Sequence, residues 1–129
     1  MRSIPIPRKS DEIFVVEKVD TACVITILTR ELDSYSSVEL STQLLALIQE
    51  SNARCFVLNF ENVRFMESSC FGALVTFLKE LAKIDGKIAL TNVTENVRFL
   101  FTVTKLDKVF PIFPDAWTAL QTIKGVQVA

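Results

Sequence analysis

The chain has 129 residues, and half of them are apolar, which is enough for one domain with a hydrophobic core. Its 14 basic and 15 acidic residues give a net charge of -1 without any basic run, which argues against a nucleic-acid partner. No apolar run approaches the roughly 18–20 residues that cross a bilayer, and no signal peptide is recognisable, so we expect a soluble, cytoplasmic protein without a membrane partner.

The predicted elements alternate in a way that indicates a single α/β domain over residues 13–124. In chain order they are strand, strand, helix, strand, helix, strand, helix, short strand and helix, over residues 13–19, 22–29, 38–50, 55–60, 69–83, 87–90, 95–102, 109–113 and 116–123. The short first connection predicts an antiparallel hairpin, and strands joined through helices predict parallel neighbours with right-handed crossovers. We therefore expect a mixed β-sheet of four to five strands with about four helices. Pro5 and Pro7 predict a flexible arm over residues 1–12, and residues 125–129 are a predicted tail.

Each predicted helix carries apolar residues at the helical period, which mark the face that packs on the core. These residues are Leu40, Leu44, Leu47, Ile48, Leu74, Phe77, Leu78, Leu81, Val97, Leu100, Phe101, Trp117, Leu120 and Ile123. Phe99 falls on the opposite face of the third helix and is a candidate contact residue. Gly86 follows Asp85 at the end of the second helix, where glycine can adopt a positive φ.

The residue types present give little support to catalysis or cofactor binding. The chain has no histidine, which removes histidine general bases, nucleophile pairs and metal ligands. Its three glycines form no phosphate-binding loop, and Cys23, Cys55 and Cys70 include no CxxC pair. We expect no enzymatic activity, no metal and no cofactor. Cys23 and Cys55 are expected to be inert core residues, whereas Cys70 falls in a first helical turn that could stabilise a thiolate.

Two adjacent serines, Ser68 and Ser69, lie where the strand over residues 55–60 and its loop lead into the second predicted helix. A helix N-terminus has unpaired N–H groups and the positive end of the helix dipole, so it favours an anion. A serine hydroxyl there can cap the helix, and a phosphate on that hydroxyl would also be tolerated. The spacing alone leaves a structural cap and a phosphorylation switch open.

Four stretches, in order and at matching spacing, resemble the STAS domain family of bacterial anti-sigma factor antagonists over about residues 13–124. The run Glu31-Leu32-Asp33 resembles the family's G-E-L-D, with Arg30 in place of the glycine. The run Glu67-Ser68-Ser69-Cys70-Phe71-Gly72 resembles D-S-S-G-L-G, with glutamate for aspartate and cysteine for the first glycine. The other two stretches are residues 57–66, which resemble the central strand and its loop, and residues 106–110, which resemble L-D-K-V-F.

The resemblance implies a protein–protein switch controlled by phosphorylation. Family members bind an anti-sigma factor that is also a serine kinase, which frees a sigma factor. The kinase phosphorylates the serine directly after the aspartate, which breaks the complex, and a phosphatase reverses the modification. Ser68 occupies that position and Ser69 is the second choice. The implied partner-binding residues are Glu67, Ser69, Cys70, Asp33, Ser34 and Ser36, and whether the chain forms a weak homodimer is left open.

A second interpretation keeps the fold and the binding role but removes the switch. In it the chain is a constitutive STAS interaction subunit of a signalling complex, or an accessory protein of a lipid-transport ATPase, and Ser68 only caps its helix. An enzyme or small-ligand binder is the third interpretation. Fold alone does not distinguish these functions.

Overall fold

The structure, a computed structural model, describes residues 13–125, so the predicted arm over residues 1–12 and residues 126–129 of the predicted tail lie outside the described residues. Within the described range the strands are β1 (Phe14–Val19), β2 (Ala22–Ile27), β3 (Glu31–Leu32), β4 (Cys55–Asn59), β5 (Phe65–Met66), β6 (Lys87–Thr91) and β7 (Ile112–Phe113). The helices there are α1 (Ser34–Glu50), α2 (Ser68–Ala82), α3 (Glu95–Val103) and α4 (Ala116–Gly125), with a 3-10 helix at Leu106–Lys108.

Five of the strands form one mixed sheet in the order β1-β2-β4-β6-β7. β1 pairs with β2 in the antiparallel sense, and the three other neighbouring pairs are parallel. β4 lies at the centre, which explains its continuous apolar sequence because both of its faces are covered. The predicted α/β fold, with five strands in a mixed sheet and four helices, is confirmed.

Alternation along the strands divides the core between the two faces of the sheet. Phe56 and Leu58 belong to the larger cluster, which packs under α1, α2 and α3. Val57 and Ala89 face the other way and pack against α4. The predicted stripes on α1, α2 and α3 are confirmed, since their buried or partly buried members all belong to the larger cluster: Leu40, Leu44, Leu47, Ile48, Leu74, Phe77, Leu78, Leu81, Val97, Leu100 and Phe101.

A second, two-stranded sheet was not predicted from the sequence. β3 and β5 pair in parallel, with Glu31 opposite Phe65 and Leu32 opposite Met66. The Glu67 amide donates to the Leu32 carbonyl at 2.8 Å and continues this pairing by one residue. Leu32 and Met66 are buried, so the small sheet is anchored to the core on one side.

Helix α1 begins at Ser34, one turn earlier than the predicted start at residue 38. The residues at 33–37 were predicted to be a loop because serine and aspartate favour turns and caps over helix interiors. Here only Asp33 remains outside the helix, as its N-cap.

The prediction that Trp117 packs α4 against the sheet is wrong, because this side chain is 71% exposed. Ala119 and Ile123 are buried on that helix, with Ala116 and Leu120 packed beside them. Small side chains at the contact allow the helix to approach the sheet closely. Trp117 lies about 100° around the helix from Ala116 and therefore on its flank.

The turn after α2 differs from the prediction in which residue has positive φ. Asp85 adopts φ 57°, and none of the described glycines has a positive φ. A Cβ on Gly86 would lie 2.6 Å from Leu81 Cδ2 and 2.9 Å from the Arg54 carbonyl oxygen. Gly86 is therefore needed for close packing rather than for an unusual backbone conformation.

Candidate functional site

The start of α1 is closed by side-chain hydrogen bonds. The Asp33 carboxylate accepts from the Ser36 amide and from the Ser36 hydroxyl, each at 3.0 Å. These two bonds hold the pKa of Asp33 below its ordinary value of 3.8, because they stabilise the charged form. Ser34 is the first helical residue and is exposed.

The start of α2 has the same backbone form but no side-chain cap. Glu67 is the N-cap residue in extended conformation, and its carboxylate makes no capping hydrogen bond. Ser68 is the first residue of the helix, so of the two alternatives left open by the sequence, capping of α2 by the Ser68 hydroxyl does not occur. Ser68 and Ser69 are both exposed, and within residues 13–125 the Ser68 hydroxyl makes no hydrogen bond.

The pairing of β3 with β5 brings these two helix starts together. Because Leu32 lies opposite Met66, the next residues along, Asp33 and Glu67, are also neighbours. Each strand leads directly into its helix, so Ser34 and Ser68 occupy equivalent places at two adjacent helix N-termini. The predicted partner-binding residues from the two loops thus lie on one surface, which we call the paired helix starts (residues 33–36 and 67–69).

Cys70 is the exception among the predicted partner-binding residues, because its side chain is fully buried. Its Sγ lies 3.4 Å from the Leu32 carbonyl oxygen and 3.3 Å from the Asp33 carbonyl oxygen, and its S–H donates to them, so it ties α2 to the end of β3. Burial, followed by the negative charges of Asp33 and Glu67, raises the pKa of the Cys70 thiol to about 11. The thiolate that a first helical turn could have stabilised is therefore not favoured here, and the prediction of direct partner contact by this side chain is contradicted by its burial.

The other two cysteines differ in their burial. Cys23 is fully buried, and burial raises the pKa of its thiol, as suits an inert core residue. Cys55 is only partly buried and packs at the margin of the smaller cluster, where its Sγ lies 4.0 Å from the Ile123 carbonyl oxygen.

Aromatic packing supports α2 on the side that faces the core. Phe71, in its first turns, makes an edge contact with Phe101 of α3, with ring centroids 4.9 Å apart. Phe101 also meets Phe60 and Phe110 edge-on, at 6.3 and 5.9 Å. Cys70 and Phe71 thus fix the position of Ser68 from the buried side while its hydroxyl faces solvent.

Exposed apolar residues close to the paired helix starts were not singled out from the sequence. Tyr35, in the first turn of α1, is 89% exposed, and Val38, one turn later, is 68% exposed. Extending the helical period of Leu40 and Leu44 back by one turn would have placed both residues off the buried stripe. Phe99 is exposed on α3, as its position predicted, and no observation tests its role in contact.

Across residues 13–125 no group of three or more histidine, cysteine or acidic residues could hold a metal ion. A cavity of about 430 Å³ lies at the far end of α1, where Arg54 is the one charged residue in its lining. No helix in the described residues is long and apolar enough to cross a membrane.

Two similar characterised proteins are anti-sigma factor antagonists. An anti-sigma F factor antagonist of Paenibacillus polymyxa is 29% identical over 103 residues, which cover 80% of this chain and 88% of the relative. An anti-sigma-B factor antagonist of Staphylococcus aureus is 33% identical over 76 residues, which cover 59% of this chain and 69% of the relative.

Solved structures share the fold. The anti-sigma factor antagonist SpoIIAA in its unphosphorylated form superposes with a TM-score of 0.76 at 24% identity, covering 88% of this chain and 97% of the other. The phosphorylated form of the Bacillus SpoIIAA gives 0.64 at 24% identity, covering 80% and 91%. A family model described as the STAS domain matches residues 14–119. Because this match spans most of the sequence, the chain belongs to the STAS domain family.

Proposed function

We propose that the chain is an anti-sigma factor antagonist that binds an anti-sigma factor with serine kinase activity, and that phosphorylation of Ser68 releases this partner. A phosphatase then restores the binding form. The names of the relatives support the binding role, and a phosphorylated state of the SpoIIAA fold is consistent with the switch. In this role the chain acts in the bacterial cytoplasm and catalyses nothing itself, since the kinase supplies the ATP site.

The observation that carries the proposal is the state of the Ser68 hydroxyl. It is exposed, it is not used as a helix cap, and it lies at the first residue of α2 beside the start of α1. A kinase can reach such a hydroxyl without unfolding the helix. The helix N-terminus then tolerates the phosphate through its free N–H groups and its dipole.

Electrostatics explain why the same phosphate would break a complex. Asp33 and Glu67 already place two carboxylates near this point, and their charges are both felt at Cys70. A phosphoserine adds about -1.5 to -2 charges. A partner packed against the paired helix starts would have to desolvate this dianion beside two carboxylates. Moving from almost fully bound to almost fully free requires roughly 5.5 kcal/mol of differential affinity, which a desolvated dianion can supply.

Residues on both helix starts form the proposed docking face. Glu67 and Ser69 flank the phosphoacceptor, and Asp33, Ser34 and Ser36 lie on the neighbouring helix start. The polar groups of Asp33 and Ser36 are hydrogen-bonded to each other, so these residues contribute mainly by fixing the shape of this face. Tyr35 extends the face with exposed aromatic surface, which is common at interfaces.

Phosphate mapping tests the identity of the acceptor. We expect the wild-type chain, incubated with candidate cognate kinases and ATP, to gain one phosphate on Ser68 by mass spectrometry. Ser69→Ala, which changes the neighbouring hydroxyl, should keep this phosphate, and Ser68→Ala should lose it. Phosphate retained by Ser68→Ala would assign the modification to another residue.

A matched pair of substitutions separates a switch from a constitutive module. Ser68→Asp and Ser68→Asn have nearly the same shape and differ in charge. We expect Ser68→Asp to bind the anti-sigma factor about 10- to 100-fold more weakly than Ser68→Asn, because one carboxylate supplies part of the dianion's effect. Equal affinities in a calorimetric titration would favour the constitutive STAS subunit instead.

A further inference from the structure

One face of the five-stranded sheet is only partly covered. α4 packs on β4, β6 and β7. On β2, at the far side from β7, Val24 and Thr26 point to this face and are only partly buried, and Leu28, just beyond the strand, is 43% exposed. The opposite face of β2 differs, since Ile25 and Ile27 are fully buried there.

Trp117 borders the uncovered area. α4 begins beside β7 and ends near the start of β4, where the Ile123 carbonyl oxygen lies 4.0 Å from the Cys55 Sγ. It therefore runs against the direction of the parallel strands. The right-handed crossovers of the sheet fix on which side of α4 the strand β2 lies. Because α4 is a right-handed helix, the residue that follows the sheet-facing Ala116, namely Trp117, lies on that side. We call the area between them the β2–α4 surface (Val24, Thr26, Leu28 and Trp117).

The chain reaches this area at its N-terminal side. The Leu28 amide donates to the Ile13 carbonyl at 2.7 Å, so Ile13 lies beside Leu28. The residues before Ile13 are therefore connected to the chain next to this surface. Twelve residues precede Ile13, and their apolar members other than Met1 are grouped in Ile4-Pro5-Ile6-Pro7. The six steps from Pro7 to Ile13 span roughly 19 Å at about 3.1 Å each in an extended conformation. β2 lies one to three strand spacings, roughly 5–14 Å, from the strands under α4, so this length is sufficient.

We propose that the segment Ile4–Pro7 of the same chain binds the β2–α4 surface and covers Trp117. Two of the four residues in this segment are prolines, whose rings fix φ, so its docking costs less conformational entropy than that of a segment without proline. Proline-rich segments commonly bind against exposed aromatic rings. Ile4 and Ile6 supply apolar side chains for Val24 and Leu28. Glu17, exposed on β1 opposite Val24, offers a carboxylate to the basic residues Arg8 and Lys9 that follow the segment.

This inference is independent of the phosphorylation switch, and the chain contains a built-in reporter for it. Trp117 is its single tryptophan, so intrinsic fluorescence comes from the proposed contact itself. We expect Ile4→Ser/Ile6→Ser to shift the emission to longer wavelength and to lose protection from acrylamide quenching. Ser3→Ala/Ser10→Ala, which leaves the apolar segment intact, should keep the wild-type emission and protection. Circular dichroism verifies that both variants keep the fold.

Three outcomes would overturn the proposal. Identical emission and quenching in the wild type and in Ile4→Ser/Ile6→Ser would mean that the segment does not cover Trp117. Protection of Trp117 from acrylamide that increases with protein concentration would assign the surface to a second copy of the chain. Protection that survives Ile4→Ser/Ile6→Ser and disappears when residues 126–129 are deleted would assign it to the C-terminal residues.

Discussion

The starts of α1 and α2 have the same backbone arrangement and are stabilised in different ways. At α1, Asp33 satisfies the helix end through two hydrogen bonds with Ser36. At α2, Glu67 makes no such bond, and the helix is held instead by the buried side chains of Cys70 and Phe71. The difference shows how Ser68, the proposed phosphoacceptor, can be well positioned while its hydroxyl is not used in capping. Packing fixes the backbone at Ser68, so its hydroxyl is not required for stability.

The largest expected effect is on the packing that supports α2. Phe101→Ala removes the ring that contacts Phe60, Phe71 and Phe110 and should lower the free energy of unfolding by about 3–5 kcal/mol. Phe99→Ala, on the exposed face of the same helix, is the control and should change it by less than about 0.5 kcal/mol. Urea denaturation measures both, and similar losses would contradict packing as the support of α2.

A smaller loss is expected when Cys70 is replaced by the glycine that the family motif carries. Cys70→Gly removes a buried side chain with its bonds to two carbonyls of the β3 end and places glycine in a helix, which together should cost about 2 kcal/mol. Cys70→Ser keeps a donor of similar size and should lose less. If Cys70→Gly were as stable as the wild type in urea, the thiol would not be a link between α2 and β3.

A gain in stability is expected when the start of α2 is given the kind of cap that α1 has. Glu67→Asp shortens the side chain to a length that accepts from helix N–H groups and should add about 0.5–1 kcal/mol. Glu67→Gln, which keeps the longer side chain, is the control and should give no gain. An unchanged urea midpoint for Glu67→Asp would indicate that packing already determines the conformation of this helix start.

The smallest effect is expected at α1 and depends on pH. Asp33→Asn should have almost wild-type stability near neutral pH, because asparagine is an equally good N-cap. In the wild type the pKa of Asp33 is lower in the folded chain than in the unfolded one, so the unfolded chain takes up the proton first. The stability from this group is complete above its ordinary value of 3.8 and is lost as pH falls through the lowered pKa. Unfolding measured across that range should show a shallower acid dependence for Asp33→Asn, and parallel curves would contradict this.

Most of the fold could be predicted because its long elements carry strong periodic patterns. Leu40 and Leu44, or Phe77 and Leu81, repeat at the helical period, and the short apolar run of β4 fits an interior strand. The two-residue strands β3 and β5 are too short to have a pattern, and their pairing depends on tertiary contacts. Trp117 was misjudged because size and hydrophobicity favour burial, whereas a helix packed closely on a sheet requires small residues such as Ala119 at the contact.

The candidate site was predicted in its location and only partly in its chemistry. The motif around Ser68 indicated a helix start, and Asp33 was placed close to it by resemblance alone. The sequence could not show that Glu67 rather than Ser68 is the cap residue, because neighbouring positions at a helix start differ by one backbone conformation. Nor could it show that Cys70 points inward, since its burial results from the position of β3, a distant segment of the chain.

The bond between the Glu67 amide and the Leu32 carbonyl has a mechanical consequence. It links the two helix starts through a single short sheet, so a force applied to one of them is transmitted to the other. A partner that bound Tyr35 or Ser34, as in the proposed function, would therefore meet Ser68 at a fixed distance. Substitutions that weaken this link should lower the affinity for such a partner even when every exposed side chain is retained.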